Sequence, residues 1–169
     1  IPPRKGRRHV LRLIRDLLAF EPLGRGTNIN IALDTLNHTL KRRAIIFLIS
    51  DLALPMDTAE DFKQIQQSLH VTNLHHDLVA VTTLDPLEQS WPEIGLVQLQ
   101  DAESGQQMRI NTNSRTWQNS FSERTAHLAA RREKLLQRAR VDHIHIQTGQ
   151  DYVPALLAFF RRRAMRWLR

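Results

Sequence analysis

Apolar positions divide the chain into stretches of two periodicities. From Arg8 to Phe20, Val10, Ile14, Leu17 and Leu18 recur at helical spacing, and Glu21-Pro22-Leu23-Gly24 supplies the turn chemistry that stops a helix. After Gly24-Arg25-Gly26-Thr27-Asn28, residues Ile29, Leu33, Leu36 and Leu40 are spaced by four, three and four, which predicts a second helix with one core-facing stripe. Ala44-Ile45-Ile46-Phe47-Leu48-Ile49 is continuous and β-branched, the pattern of a central strand covered on both faces, and it stops at Ser50-Asp51. Asp57 or Thr58 is placed to cap a third helix that buries Phe62, Ile65 and Leu69. Leu78 to Leu84 repeats the buried-strand pattern and ends at Asp85-Pro86.

The second half changes character. Gly95 to Gln100 and Gln107 to Asn111 alternate apolar and polar around Asp101-Ala102-Glu103-Ser104-Gly105, which predicts a β-hairpin inserted after the second strand. A long polar helix follows from about Ser114 to Arg140, anchored by Trp117, Phe121, Leu128 and Leu135. His143-Ile144-His145-Ile146 reads as a short strand, and Asp151 is placed to cap a last helix carrying Tyr152, Leu156, Phe160 and Trp167. Strands alternating with helices of this length call for a three-layer α/β fold with a mainly parallel sheet flanked by helices. In such folds ligands gather at the carboxyl ends of the strands.

Composition narrows the classes without naming one. A chain of 169 residues, 41% hydrophobic and 24% charged, suits a single globular domain over 1–169 with the hairpin insertion at about 95–111. The longest apolar run is of strand length, far below the roughly 18 residues that span a bilayer. With no cysteine, a disulfide framework, a thiol nucleophile and a cysteine-based zinc site are excluded. The net charge of +7 is unevenly spread: residues 1–15 and 161–169 hold 11 of the 24 basic side chains and no acidic one, while the body between them is net acidic and contains all 17 Asp and Glu side chains. Arginine-rich ends permit contact with nucleic acid or an anionic surface, but neither interleaved aromatics nor a reading motif accompanies them. Solvated helix ends account for the same pattern.

Three groups of residues could carry chemistry. Thr27, before the second helix, and Asp51, at the end of the first buried strand, offer a hydroxyl and a carboxylate, hard oxygen ligands suited to Mg²⁺ or Mn²⁺. An N-cap and a turn former would place the same residues there. The loop Gly24-Arg25-Gly26-Thr27 could face a phosphate at a helix N-terminus, but it lacks the lysine and second hydroxyl of a Walker loop. His143 and His145 fall on one face of a strand in acceptable metal-ligand geometry, but no third ligand is evident and solvent-facing imidazoles are the expectation. No nucleophile elbow, H-E-x-x-H helix or dinucleotide loop occurs, so the chain is not expected to be an enzyme.

Taken together, Gly6-Arg7-Arg8-His9, Gly26-Thr27-Asn28-Ile29, Arg42-Arg43 before Phe47-Leu48-Ile49-Ser50-Asp51-Leu52, His76-Asp77-Leu78-Val79-Ala80-Val81, Asp85-Pro86-Leu87-Glu88, Pro92-Glu93-Ile94-Gly95 and Asp101-Ala102-Glu103-Ser104-Gly105 resemble the C-terminal portion of the bacterial von Willebrand factor A-like family catalogued as domain of unknown function 58, whose members are associated with MoxR-type AAA+ ATPases. The resemblance implies a metal-ion-dependent adhesion site. Thr27 and Asp51 match two of its ligand positions, with Gly26, Asn28, Ser50 and Asp85 as supporting loop residues. The upstream D-x-S-x-S run of such sites is not among these residues, which implies an incomplete site and a fold shortened at its N-terminus; the opening Ile1-Pro2-Pro3 reads as a piece of something longer. The implied function is a cytoplasmic, non-enzymatic protein-interaction module. Its partner would be a MoxR-like ATPase or the client that ATPase remodels, and a sheet edge left uncovered would favour a homodimer.

Overall fold

The computed structural model describes residues 4–21, 27–54, 58–100 and 105–167. In chain order the elements are α1 (Arg7–Leu18), α2 (Ile29–Thr39), β1 (Ile45–Ser50), α3 (Ala59–His75), β2 (Asp77–Leu84), the single turn α4 (Pro86–Gln89), β3 (Leu96–Gln100), β4 (Gln107–Asn111), α5 (Arg115–Ala139), β5 (Asp142–Gln147) and α6 (Val153–Trp167). Each helix and strand anticipated from periodicity is present. The expected tip of the hairpin and Asp57 lie outside the described residues.

Three strands form a parallel sheet in the order β1-β2-β5, and β3 pairs antiparallel with β4 in a separate two-stranded sheet. Helices lie on both faces of the parallel sheet, so the architecture is mixed α/β with a small parallel sheet. On one face, Leu78 and Ala80 of β2 meet Ile65 and Leu69 of α3, Leu135, Leu136 and Ala139 of α5, and Ile29 and Leu33 of α2. Leu33, Leu69, Leu78, Leu135 and Leu136 are wholly buried, each contributing about 1.5–3 kcal/mol by leaving water. On the other face, Val79 and Val81 of β2 and Ile144 of β5 pack against Phe159 of α6. Between α3 and α5, Asn73 donates to the Arg140 carbonyl at 2.6 Å while its own carbonyl accepts from the Leu78 amide, joining two helix ends to the start of β2.

Local signals explain where these elements begin and end. Thr58 and Asp61 form a reciprocal capping box at the start of α3, and Asp85 caps α4 through the Leu87 amide. Asp151 accepts from the Val153 amide at the start of α6. Helix α5 closes on Arg140 in the left-handed conformation, φ 56°.

Three expectations about burial need correction. Leu128, expected to anchor α5, is exposed on the bare middle of that helix. The apolar run of β1 predicts cover on both faces, but β1 is an edge of the described sheet and Ile45, Phe47 and Ile49 are exposed on the α6 side, where Phe47 meets only the edge of the Phe160 ring. In α6 the buried aromatic is Phe159, not Phe160, because the helix turns Phe159 onto the Val79–Val81–Ile144 face. Helix α1 forms as its spacing predicts, yet it buries none of its residues among those described. Among the described residues no helix is long and apolar enough to cross a membrane.

Candidate functional site

The carboxyl ends of the parallel strands gather three loops. After β1, Ser50-Asp51-Leu52 turns sharply: Asp51 Oδ1 accepts from the Ala53 amide at 3.1 Å, and Ser50 Oγ accepts from the Leu52 amide at 3.0 Å. Leu52 adopts φ 53° although it is not glycine, and its side chain is nonetheless buried in the core. A left-handed leucine costs about 1–2 kcal/mol, so packing must hold this turn against its intrinsic preference. From α5, Arg132 Nη1 donates to the Asp51 carbonyl at 2.7 Å and fixes the turn from outside.

Thr27 is exposed immediately before Asn28, whose side chain accepts from the Asn30 and Ile31 amides and thereby caps α2. Thr27, Asn28 and Asn30 border a shallow cleft of about 170 Å³, closed on its other side by Leu54 from the loop after β1 and by Asp61 and Ile65 from α3. Thr27 and Leu54, three residues after Asp51, therefore line one cleft, while Asp51 itself is not among its lining residues. Capping at the start of α2 falls to Asn28 rather than Thr27. Gly26, and with it the candidate phosphate loop 24–26, lies outside the described residues. Asp85, at the end of β2, accepts from Thr148 Oγ1 at 2.9 Å just beyond β5 and ties two strand ends together. Its carboxylate is engaged in that tie and in capping α4.

His143 and His145 lie on one side of the edge strand β5; His145 is half exposed, as expected of a solvent-facing imidazole, His143 is more covered, and both stand beside Glu133 of α5, the third group that the sequence did not make evident. His143 Nε2 stands 3.3 Å and His145 Nε2 3.9 Å from Glu133 Oε2. The two imidazoles lie with centroids 4.8 Å apart. Beneath them, buried Thr82 of β2 bonds the Ile144 carbonyl at 3.2 Å and His145 Nδ1 at 2.5 Å. The Thr82 hydroxyl can both donate and accept, so it can hold the His145 ring through Nδ1 in either neutral tautomer, with Nε2 on the Glu133 side. Burial, with the charge of His143 next, holds the His145 pKa below the ordinary value of 6.5; the Glu133 carboxylate works against this and Arg132 adds to it.

Glu133 was missed by the sequence argument, although the signal was there. Counting back from the Arg140 cap, Glu133 is seven helical residues away, about 10.5 Å of rise, and counting forward, His143 is three residues away, about 10 Å along an extended strand. A helix folding back over its own following strand brings these two levels together.

A family model described as "Protein of unknown function DUF58" matches residues 1–131. An uncharacterized protein of Mycobacterium avium is 25% identical over 165 residues, which is 96% of this chain and 93% of that protein. Uncharacterized proteins of Mycobacterium bovis and Mycobacterium tuberculosis are 31% identical over 107 residues, 62% of this chain and 32% of theirs. The matched stretch thus spans about a third of the length of these longer relatives. No solved structure matches the chain.

Proposed function

Starting from the fact that the chain belongs to the DUF58 family, we propose that it is a non-enzymatic protein-interaction module of the von Willebrand factor A-like kind, working through a metal-ion-dependent adhesion site. The observation that supports this reading is the placement of Thr27 in one cleft with Leu54, three residues after Asp51 on the strained turn that follows β1. A threonine hydroxyl and an aspartate carboxylate are a hard donor pair that suits Mg²⁺ or Mn²⁺, and both residues are exposed. Thr27 and Asp51 would hold the ion, with Asn28, Ser50 and Asp85 keeping the surrounding turns in place. When bound, such an ion supplies an electrophilic position that a partner's carboxylate can complete.

The proposed partner is a MoxR-like AAA+ ATPase or its client, in the cytoplasm, with a role in maturing other proteins. The rival reading, nucleic-acid or anionic-surface binding through the arginine-rich ends, is weakened by four ion pairs that three of those arginines make within the chain. Arg12 and Arg15 meet Asp16, and Arg163 meets Asp77 and Asp142. The test is Mn²⁺ added to the ¹⁵N-labelled chain. Paramagnetic broadening should appear first at the amides of Thr27, Asn28, Asp51 and Leu52 and vanish in Asp51→Ala, and a MoxR-like ATPase should co-purify with the wild type in Mg²⁺ but not with that variant. Broadening spread evenly over the surface carboxylates, or co-purification indifferent to Asp51, would refute the reading.

A further inference from the structure

The cluster between α5 and β5 is separate from the Thr27–Asp51 pair in its chemistry: two imidazoles and one carboxylate, against a hydroxyl and a carboxylate. We propose that Glu133, His143 and His145 form a binding site for a divalent transition-metal ion of the zinc class, with Glu133 Oε2 and the two Nε2 atoms as ligands and a fourth position open.

The argument is geometric. Zinc bonds of about 2.0–2.1 Å to nitrogen and oxygen set tetrahedral ligand atoms about 3.3–3.4 Å apart. One ligand atom from each of the three residues lies within 4.8 Å of the others, and the two Glu133 separations are 3.3 and 3.9 Å. Closing the remaining gap asks for side-chain rotations, not backbone movement.

The surroundings are those of a ligand set as well. A metal-bound histidine commonly donates its second ring N–H to a fixed acceptor, which sets tautomer and ring orientation. Thr82 is placed to do this for His145: it is wholly buried and its hydroxyl oxygen, which can accept from Nδ1–H, lies 2.5 Å from Nδ1. The nearby cation that would oppose a metal, Arg132, directs Nη1 to the Asp51 carbonyl. His145 is half exposed, so an ion has a path in and a partner or water has access to the fourth position. Imidazole with carboxylate selects zinc and its neighbours over Mg²⁺, so this site and the Thr27–Asp51 pair would take different ions.

The experiment is Co²⁺ and Zn²⁺ titration of the chelator-treated chain. One Co²⁺ per chain should give the intense visible absorption of a four-coordinate ion, displaced by Zn²⁺, and the Nε2 resonances of His143 and His145 should shift on adding Zn²⁺. His143→Gln, His145→Gln and Glu133→Gln should each weaken binding strongly. Thr82→Val, which removes only the orienting hydroxyl, should weaken it about 10–100-fold. Asp51→Ala should leave it unchanged, which separates this site from the Thr27–Asp51 pair. Unaltered Co²⁺ spectra, or binding retained by the His143→Gln/His145→Gln double variant, would overturn the proposal, the second result meaning that other histidines hold the ion. Glu133→Gln is nearly isosteric at a half-buried helix position, so circular dichroism should show it folded even if the strand variants are not, and the wild-type ring resonances need no variant.

Discussion

The guanidinium of Arg163 in α6 grips the carboxylate of Asp77, the first residue of β2, with two nitrogens on two oxygens, and turns its Nε to Asp142 at the start of β5. One side chain thus fastens the last helix to the amino ends of two adjacent strands, 86 and 21 residues away in sequence. The hydrogen bonds that Arg163 donates to Asp77 hold the guanidinium charge even more firmly than usual. Arg163→Ala should therefore destabilise the chain by roughly 2 kcal/mol, since the pair is only partly buried and its removal leaves two carboxylates facing each other. Arg163→Lys should recover part of this, because a lysine cannot form the two-pronged contact. Urea unfolding of both variants checks it, and equal stability of Ala and wild type would show the grip to be decorative.

Leu52 offers a test in which two effects oppose each other. Leu52→Ala forfeits burial worth about 2–5 kcal/mol and keeps the left-handed backbone. Leu52→Gly forfeits slightly more burial but relieves about 1–2 kcal/mol of backbone strain. Glycine should be the milder substitution here, the reverse of the order expected at an ordinary buried leucine. Thermal denaturation of the two variants side by side gives the answer directly.

Stability should depend on pH through His145. Its folded pKa lies below the unfolded value of 6.5, so the unfolded chain takes up a proton first as the solution is acidified. The stabilisation from a neutral His145 is complete above about pH 6.5 and is lost progressively below it, until the folded form is protonated too. His145→Gln should flatten that portion of the stability curve. A wild-type curve that rises on acidification from pH 7 to 5.5 would have the opposite sign and contradict the assignment.

Neighbouring phenylalanines in α6 should behave differently. Phe159 is 3% exposed against Val79, Val81 and Ile144, and Phe159→Ala should cost about 3–5 kcal/mol. Phe160 is 47% exposed and touches Phe47 edge-on, so Phe160→Ala should cost about 1 kcal/mol. Chemical denaturation distinguishes the pair.

The contrast between these two rings also shows what the sequence could and could not convey. Periodicity located every strand and every helix but the single turn α4, because 3.6-residue and two-residue repeats are local properties of the chain and one turn is too short to show one. It did not tell which of two adjacent aromatics on α6 would meet the sheet, a matter of a helix rotating by one residue's angle against a partner. Nor did it show that β1 would be an edge among the described residues. An unbroken run of apolar residues records that both faces are fit for cover, not that cover is present. For the site, Asp51 and Thr27 were legible as strand-end and helix-start oxygens, whereas Glu133 was not, because its relation to His143 depends on how far a helix and a strand each travel from a shared turn.

Helix α5 spans 25 residues, about 38 Å, and is held at both ends: Trp117 stacks on Phe121 and meets Trp91 near the hairpin, while Leu135, Leu136 and Ala139 are sunk in the sheet's core. Between them, residues 126–130 are exposed all round. Amide protons in that middle stretch are secured by their own helical ladder alone, so they should trade with deuterium through brief local openings while both anchored ends stay shut. The rod is thus a bridge with firm abutments and a soft span, and a protease that finds the chain in its native state will find it there.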